Sequence, residues 1–298
     1  TLGLIKKMRK TVYFLIFLSF LNCRNYTEKG INIDNEKFEL IVPEKHKELL
    51  ILFPGFGGTN ESIKTECNIV KKALKQKISI LILKNNRNFF LEKKELEKLG
   101  ETVVELIDKK NINNNKVFIG GFSAGGNLGL QLGKYLIKKE KYKNNLKGIF
   151  IIDSPIDLEQ LYLKYEKSVV EDESGSIKYF LNILEKQIGN PKKDFEKYKE
   201  YSPYLSSIEY TKNVEFENTE LIFYTEPALK FRKDNFNQNF ENTNGYQIKK
   251  LSKLLNQKDF KSKYIETENK GYRKNGMRNP HSWSIMNENK IVEWIKNN

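Results

Sequence analysis

The sequence has few residues of the kinds that bind metals or form disulfides. Its 298 residues include two histidines, His46 and His281, and two cysteines, Cys23 and Cys67. A structural zinc site uses about four His or Cys ligands, and a disulfide framework needs several cysteine pairs. Clustered carboxylate motifs are missing as well. We therefore expect chemistry that needs no metal and no other cofactor.

Motifs for nucleic-acid binding are also missing, although the chain has a formal net charge of +14. Its lysines are spread through every segment and usually alternate with glutamates. No helix-turn-helix, aromatic RNA-binding stripe or zinc finger is found. We expect no nucleic-acid partner and attribute the charge to a general richness in Lys and Asn. Attraction to anionic lipid or polysaccharide is the alternative.

The apolar run at residues 12–21 is too short to span a bilayer. It follows a basic stretch at residues 6–10, which is the arrangement of a secretory signal. Cys23 closes the run, as in a bacterial lipoprotein signal, and we expect this cysteine to carry the lipid. Ordinary cleavage or an uncleaved anchor is the alternative, because Asn22 stands where a small residue is usual.

The leader limits the folded part of the chain. Met8 is the first methionine, so residues 1–7 are interpreted as upstream of the translation start and 1–23 as upstream residues plus leader. Residues 24–298 are then enough for one α/β domain. We expect an exported protein of the bacterial envelope that is lipid-anchored, periplasmic or secreted. The oligomeric state is left open.

A Gly-Phe-Ser-Ala-Gly stretch at residues 121–125 makes Ser123 the candidate nucleophile. The β-favouring run 116–120 precedes it, and residues 124–139 carry apolar side chains at helical spacing. The Gly-x-Ser-x-Gly pattern holds a serine on a tight turn between a strand and a helix. A glycine-rich turn with an idle serine is the alternative.

A serine hydroxyl needs a neighbouring base, and His281 is the candidate. It lies in an Asn-Pro-His-Ser-Trp stretch, ahead of a predicted short helix at residues 290–296. We expect Trp283 to form one wall of the pocket. His46 stands among charged residues before a predicted strand and is interpreted as a surface side chain.

The acid that would orient the histidine has three candidates. Glu226 follows the predicted strand 220–224 and is the first choice. Asp234, further into the same loop, is the second. Asp153 follows the predicted strand 148–152 and is the third. Each of these carboxylates has a surface charge or a helix cap as its alternative reading.

A glycine-rich loop is the candidate oxyanion hole. The apolar strand predicted at residues 48–53 leads directly into Pro-Gly-Phe-Gly-Gly at 54–58. Acyl transfer needs two N–H donors, one after the nucleophile and one from the loop after an early strand. Ala124 is expected to supply the first and Phe56 the second, with Gly57 as an alternative to Phe56.

This order of loop, serine turn and late histidine resembles the α/β-hydrolase superfamily, in its esterase-like and envelope-associated bacterial branch. The resemblance runs from about Phe38 onward. It implies an α/β fold with a mostly parallel, doubly wound sheet flanked by helices, and a triad in the chain order serine, acid, histidine. Some relatives in that superfamily take the acid from the earlier of the two strands considered above.

The resemblance also implies an activity. We expect a serine esterase that cleaves a small-molecule or saccharide ester through an acyl-serine intermediate. A peptidase or amidase of the same fold is one alternative, and a non-catalytic envelope binding protein is the other.

An insertion at about residues 154–218 interrupts the strand-helix alternation. It is predicted between the penultimate and last strands and contains helical patterns at 158–167 and 177–188. In the resembling hydrolases this is the position of a helical lid. Its aromatic residues, among them Tyr162 and Tyr165, either line the pocket or form a small core of the lid itself.

Overall fold

The computed structural model describes residues 30–84, 87–112, 115–171 and 174–298, and Ile31–Asn298 pack as one unit. The predicted leader and Cys23 lie outside these described residues, so export and lipidation stay predictions. Within the described ranges, no helix combines the length and apolar character that crossing a bilayer requires.

The described residues form an eight-stranded mixed sheet with strand order β1-β2-β4-β3-β5-β6-β7-β8. Antiparallel pairing joins β1 to β2 and β2 to β4, while the other neighbours run parallel. The strands are β1 Ile31–Asp34, β2 Phe38–Val42, β3 Glu48–Phe53, β4 Ile78–Leu83, β5 Val117–Phe122, β6 Leu146–Ile152, β7 Glu220–Thr225 and β8 Ser262–Glu266.

The central strands are buried because helices cover both faces of the sheet. Every residue of β3, β4 and β5 is buried, as expected for parallel strands with apolar sequences such as Ile-Ser-Ile-Leu-Ile-Leu. The helices are α1 Asn60–Glu66, α2 Ile69–Lys75, α3 Lys93–Lys109, α4 Ala124–Ile137, α5 Glu140–Lys143, α6 Leu158–Ser168, α7 Ser176–Gln187, α8 Phe195–Tyr201, α9 Leu229–Phe236, α10 Asn244–Gln257 and α11 Glu288–Asn297.

Two apolar clusters pack against the sheet, one on each face. Val103 of α3, Leu132 of α4 and Leu251 of α10 belong to one cluster. Ile69 of α2 and Ile295 of α11 belong to the other. The sheet is therefore doubly wound, which confirms the predicted fold class.

The insertion lies between β6 and β7 and contains α6, α7 and α8. The prediction that β7 is the last strand was wrong, because the edge strand β8 follows it with the polar, half-exposed sequence Ser-Lys-Tyr-Ile-Glu. The helices share an apolar cluster that includes Tyr162 and reaches Phe89 and Ala124. A lid function for these helices stays a prediction.

Candidate active site

Three candidate side chains follow consecutive parallel strands at one edge of the sheet. Ser123 follows β5, Asp153 follows β6 and Glu226 follows β7. The carboxyl ends of parallel strands are where open α/β sheets collect functional groups. The register therefore brings all three to the same edge, and contacts with the loops decide what each one does.

The turn that carries Ser123 is tight and strained. Ser123 has φ of 52° and ψ of −131°, a conformation that an L-residue seldom adopts. A Cβ at Gly121 would lie 2.3 Å from the carbonyl oxygen of Gly125, and one at Gly125 would lie 2.2 Å from that of Pro54. Both glycines are needed because the backbone of the turn packs against itself and against the loop after β3.

His281 connects Ser123 to Asp153. Its Nε2 lies 3.0 Å from Ser123 Oγ, and its Nδ1 lies 2.7 Å from Asp153 Oδ2. An ionised carboxylate can only accept, so the proton of neutral His281 belongs on Nδ1. Nε2 is then left to accept the hydrogen of the serine hydroxyl. This arrangement can raise the nucleophilicity of Ser123.

The position of His281 is set by its own loop and by the core beneath it. Its backbone N–H donates to Asn279 Oδ1 at 3.0 Å, and its ring centroid lies 4.7 Å from that of Phe122. Trp283 packs against Phe122 at 5.6 Å and is 2% exposed. Trp283 therefore lies in the core against Phe122 and not in the wall of the cavity beside Ser123, so the prediction that it lines the pocket was wrong.

Asp153 is held from three sides. Its backbone N–H donates to Tyr224 O at 2.8 Å, and its carbonyl accepts from Asn244 Nδ2 at 2.8 Å. Arg232 Nη2 lies 3.5 Å from Asp153 Oδ2, the same oxygen that contacts His281. Asp153 also has a positive φ of 43°, which aspartate tolerates better than most residues.

Glu226, the first choice for the acid, does not contact His281. Its Oε2 accepts from the backbone N–H groups of Lys270 and Gly271, both at 2.9 Å, and its Oε1 pairs with Arg278. The side chain is fully buried and engaged on both oxygens. The prediction for Glu226 was therefore wrong: the carboxylate beside His281 is Asp153, the third of the three candidates.

The remaining sequence candidates lie away from this edge. Asp234 is exposed and pairs with Lys230 within α9 at 3.2 Å. His46 precedes β3, so it lies at the opposite end of the parallel strands, where its Nδ1 contacts Pro43 O at 3.0 Å. Neither residue joins Ser123 and His281.

The loop after β3 lies directly beside the serine. Gly58 N donates to Gly55 O at 2.9 Å, and Gly57 has φ of 70°, which together describe a type II turn with Phe56 as its second residue. A Cβ built on Gly55 would lie 3.4 Å from Ser123 Cβ. The hydrogen bond that closes this turn does not use the N–H of Phe56.

Ala124 is the first residue of α4, so its N–H has no acceptor within that helix. The Phe56 ring packs against Phe89 and Phe180, with centroid distances of 5.2 and 5.3 Å. These contacts tie the loop after β3 to helix α7 of the insertion.

A cavity of about 190 Å³ opens beside Ser123. Apolar side chains from the insertion and from the loop after β4 form part of its wall. Two cationic residues, Lys164 of α6 and Arg232 of α9, form another part. Its lining is Phe89, Ser123, Asp153, Pro155, Leu161, Lys164, Tyr165, Arg232, Gln238, Thr243, Asn244 and His281. Neither cation could be singled out from the sequence, because each is one basic residue among many.

In the part of the chain that the structure describes, no group of three or more His, Cys, Asp or Glu side chains could hold a metal ion. Cys67 is buried and its thiol donates to Ile63 O at 3.3 Å. Burial raises the pKa of this thiol to about 12, so it stays protonated at neutral pH.

No protein-family model matches this chain, and no curated protein sequence matches it. Solved structures do. A hyperthermophilic esterase from Pyrobaculum calidifontis is 13% identical over 98% of this chain and 91% of its own, with a TM-score of 0.58. An esterase from Pyrococcus furiosus is 13% identical over 92% and 94%, with a TM-score of 0.54.

A fluorophosphonate-binding serine hydrolase from Staphylococcus aureus is 11% identical over 90% of this chain and 98% of its own, with a TM-score of 0.53. At such low identities the similarity concerns the fold. The chain has the α/β-hydrolase fold, with the strand order and parallel pairing described above.

Proposed function

We propose that this protein is a serine esterase that cleaves a carboxylic ester through an acyl-serine intermediate. The observation that carries the proposal is the continuous chain of contacts from Ser123 Oγ through His281 to Asp153, at 3.0 and 2.7 Å. Such a chain is the geometric signature of an activated serine. The esterase neighbours of the same fold support the reaction class by analogy.

In this mechanism, Ser123 Oγ attacks the ester carbonyl while His281 Nε2 takes its proton. The imidazolium then gives that proton to the departing alcohol, which leaves an acyl group on the serine. Water attacks the acyl group in the second half of the cycle, with His281 again acting as the base. Asp153 holds the tautomer of His281 and stabilises its positive charge.

The negative charge on the carbonyl oxygen needs donors that are in place before the reaction. We assign this role to the backbone N–H groups of Ala124 and Phe56. Ala124 presents the start of helix α4, and Phe56 lies in the glycine turn beside Ser123. Gly57 N–H is the alternative to Phe56.

Labelling with a fluorophosphonate probe tests the activated serine. Wild-type protein should be labelled, and Ser123→Ala and His281→Ala should lose the label. His46→Ala is the matched control, because it removes the other histidine at the opposite end of the sheet. Folded wild-type protein that takes no label would leave the non-catalytic binding protein as the better explanation.

Substrate preference separates the esterase from a peptidase or amidase of the same fold. We expect hydrolysis of p-nitrophenyl acetate and none of aminoacyl anilides. The reverse preference would assign the same three residues to amide hydrolysis.

We also propose export and lipid anchoring at Cys23, on the sequence pattern alone. Expression with a radiolabelled fatty acid should label the wild type and not Cys23→Ala, whereas Cys67→Ala should keep the label. Equal labelling of the wild type and Cys23→Ala would contradict the anchor.

A further inference from the structure

Lys164 stands out in the cavity beside Ser123 because its charge has no partner. It is partly buried on α6, and in the described part of the chain its ammonium group makes no hydrogen bond and no ion pair. Burial lowers the pKa of Lys164, the charge of Arg232 lowers this pKa further, and Asp153 raises it. An ammonium group in this position would be stabilised by an added anion.

Arg232 adds positive potential to the cavity, and each of its three nitrogens already lies beside an acceptor. Its Nε donates to Pro227 O at 2.9 Å, its Nη1 to Gln238 Oε1 at 3.3 Å, and its Nη2 lies near Asp153. Asp153 is in turn engaged with His281. Since the cavity has two cations and one carboxylate, one positive charge remains uncompensated, and it lies on Lys164.

Lys164 also lies at a boundary between two cavities. A second cavity of about 190 Å³ shares Pro155, Leu161, Lys164, Thr243 and Asn244 with the first. Pockets for drug-sized ligands usually measure roughly 300–1,000 Å³. The space next to Ser123 therefore suits a small group that ends near Lys164, and Phe89, Leu161 and Tyr165 provide apolar walls for its carbon skeleton.

We propose that this cavity selects esters that carry a carboxylate, which the ammonium group of Lys164 binds. The inference rests on the proposed esterase function and adds its substrate class. Lysine offers three donors and a point charge, which match a single carboxylate. The carboxylate belongs to either the acyl part or the alcohol part of the ester, according to which part enters this cavity.

Two matched pairs of substrates distinguish a carboxylate in the alcohol part of the ester from one in the acyl part. In the first, 4-carboxyphenyl acetate is compared with 4-carbamoylphenyl acetate, so that the charge is in the leaving group. In the second, the phenyl monoester of terephthalic acid is compared with phenyl 4-carbamoylbenzoate, so that the charge is in the acyl group. Each kcat/KM is divided by the rate constant for hydrolysis by hydroxide, which removes differences in intrinsic reactivity.

We expect the anionic member of one pair to be preferred by roughly 10- to 100-fold, the range typical of a charged hydrogen bond. Lys164→Met should reduce this preference at least about tenfold, and Lys164→Arg should retain most of it. Lys186→Met, an exposed lysine on α7 that does not line either cavity, is the control and should not change the ratio. No preference in either pair, or a preference unchanged in Lys164→Met, would overturn the proposal.

Binding measurements test the anion site at Lys164 independently of catalysis. Calorimetry on Ser123→Ala should detect benzoate and not benzamide, and the benzoate signal should be lost when Lys164→Met is added. Benzoate binding without ester hydrolysis by the wild type would support the anion site and reject the esterase. Hydrolysis of neutral esters without benzoate binding would support the esterase and reject the anion site. The comparison of benzoate with benzamide uses Ser123→Ala with Lys164 in place, so it stands even if Lys164→Met fails to fold.

Discussion

Glu226 Oε2 accepts a hydrogen bond from the backbone N–H of Gly271 at 2.9 Å, in the segment that leads to His281. The same segment is closed by Arg278, which pairs with Glu226 and donates to Gly271 O at 2.5 Å. Asn279 N also donates to Gly271 O, at 2.9 Å. A buried carboxylate therefore organises the backbone from which His281 reaches Ser123.

Replacing Glu226 by Ala should lower the free energy of unfolding by about 3 kcal/mol, because buried N–H groups and Arg278 lose their acceptor. Urea denaturation followed by tryptophan fluorescence would measure this change. Asp234→Ala is the control, since its exposed pair with Lys230 should contribute less than about 0.5 kcal/mol. Equal stability of the Glu226 variant and the wild type would contradict the role of Glu226 in holding the segment that leads to His281.

Replacing Asp153 by Asn should lower kcat by about 10³- to 10⁴-fold. The asparagine amide would donate to Nδ1 of His281, so the ring proton would move to Nε2. Nε2 could then no longer accept the hydrogen of the Ser123 hydroxyl. Stopped-flow or steady-state assays with p-nitrophenyl acetate would measure the loss. Asp234→Asn should behave like the wild type. The assignment fails if Asp153→Asn keeps full activity while Glu226→Gln loses it.

Replacing Gly125 by Ala should nearly abolish activity and cost about 1–3 kcal/mol of stability, because its Cβ would meet backbone oxygens at 2.2 and 2.6 Å. Both Pro54 and Phe53 would have to move, and with them the loop beside Ser123. Gly129→Ala in the same helix is the matched control. Its Cβ approaches a side-chain methyl of Ile119 at 3.0 Å, which can shift. Probe labelling and thermal denaturation of both variants check the prediction.

Glu215 should make stability depend on pH in the acid range. Burial raises its pKa, but hydrogen bonds and charges from Lys212, Thr211 and Lys258 outweigh this and lower the pKa to about 2, from a value of 4.5 in the unfolded chain. Since the folded pKa is the lower one, the contribution to stability is complete above about pH 4.5 and disappears as the pH falls toward 2.

The comparison of wild type with Glu215→Gln tests this effect. The difference in free energy of unfolding between them should be largest near pH 6 and should shrink steadily below about pH 4.5. Glu217→Gln, an exposed neighbour, should give a curve parallel to that of the wild type. A difference independent of pH would show that the ion pairs of Glu215 do not stabilise the fold.

Ser123 and His281 could be predicted from the sequence because each depends on a local pattern or on scarcity. The strand, glycines and helix around Ser123 specify the turn over a few residues, and only one other histidine competes with His281. The central strands could be predicted equally well, since buried parallel strands have continuous apolar sequences. The edge strand β8 was missed because its alternating polar residues also fit a loop.

The acid could not be chosen from the sequence because Asp153 and Glu226 both follow strands at the same edge of the sheet. What separates them is which loop folds over each carboxylate, and that depends on Arg278 and Gly271, far along the chain. Lys164 has no local signal either. Its unpaired charge appears only when α6 is packed beside Ser123.

Ser123 and Asp153 each follow one of two adjacent strands that are hydrogen-bonded to each other. Pairing of β5 with β6 fixes their separation as soon as the sheet forms, since paired strands lie about 4.8 Å apart. His281 arrives from a loop whose closure must overcome chain entropy with the help of Glu226. Under the proposed mechanism, Ser123 and Asp153 are therefore in place before the base is, and the protein gains activity only when the loop that carries His281 has closed.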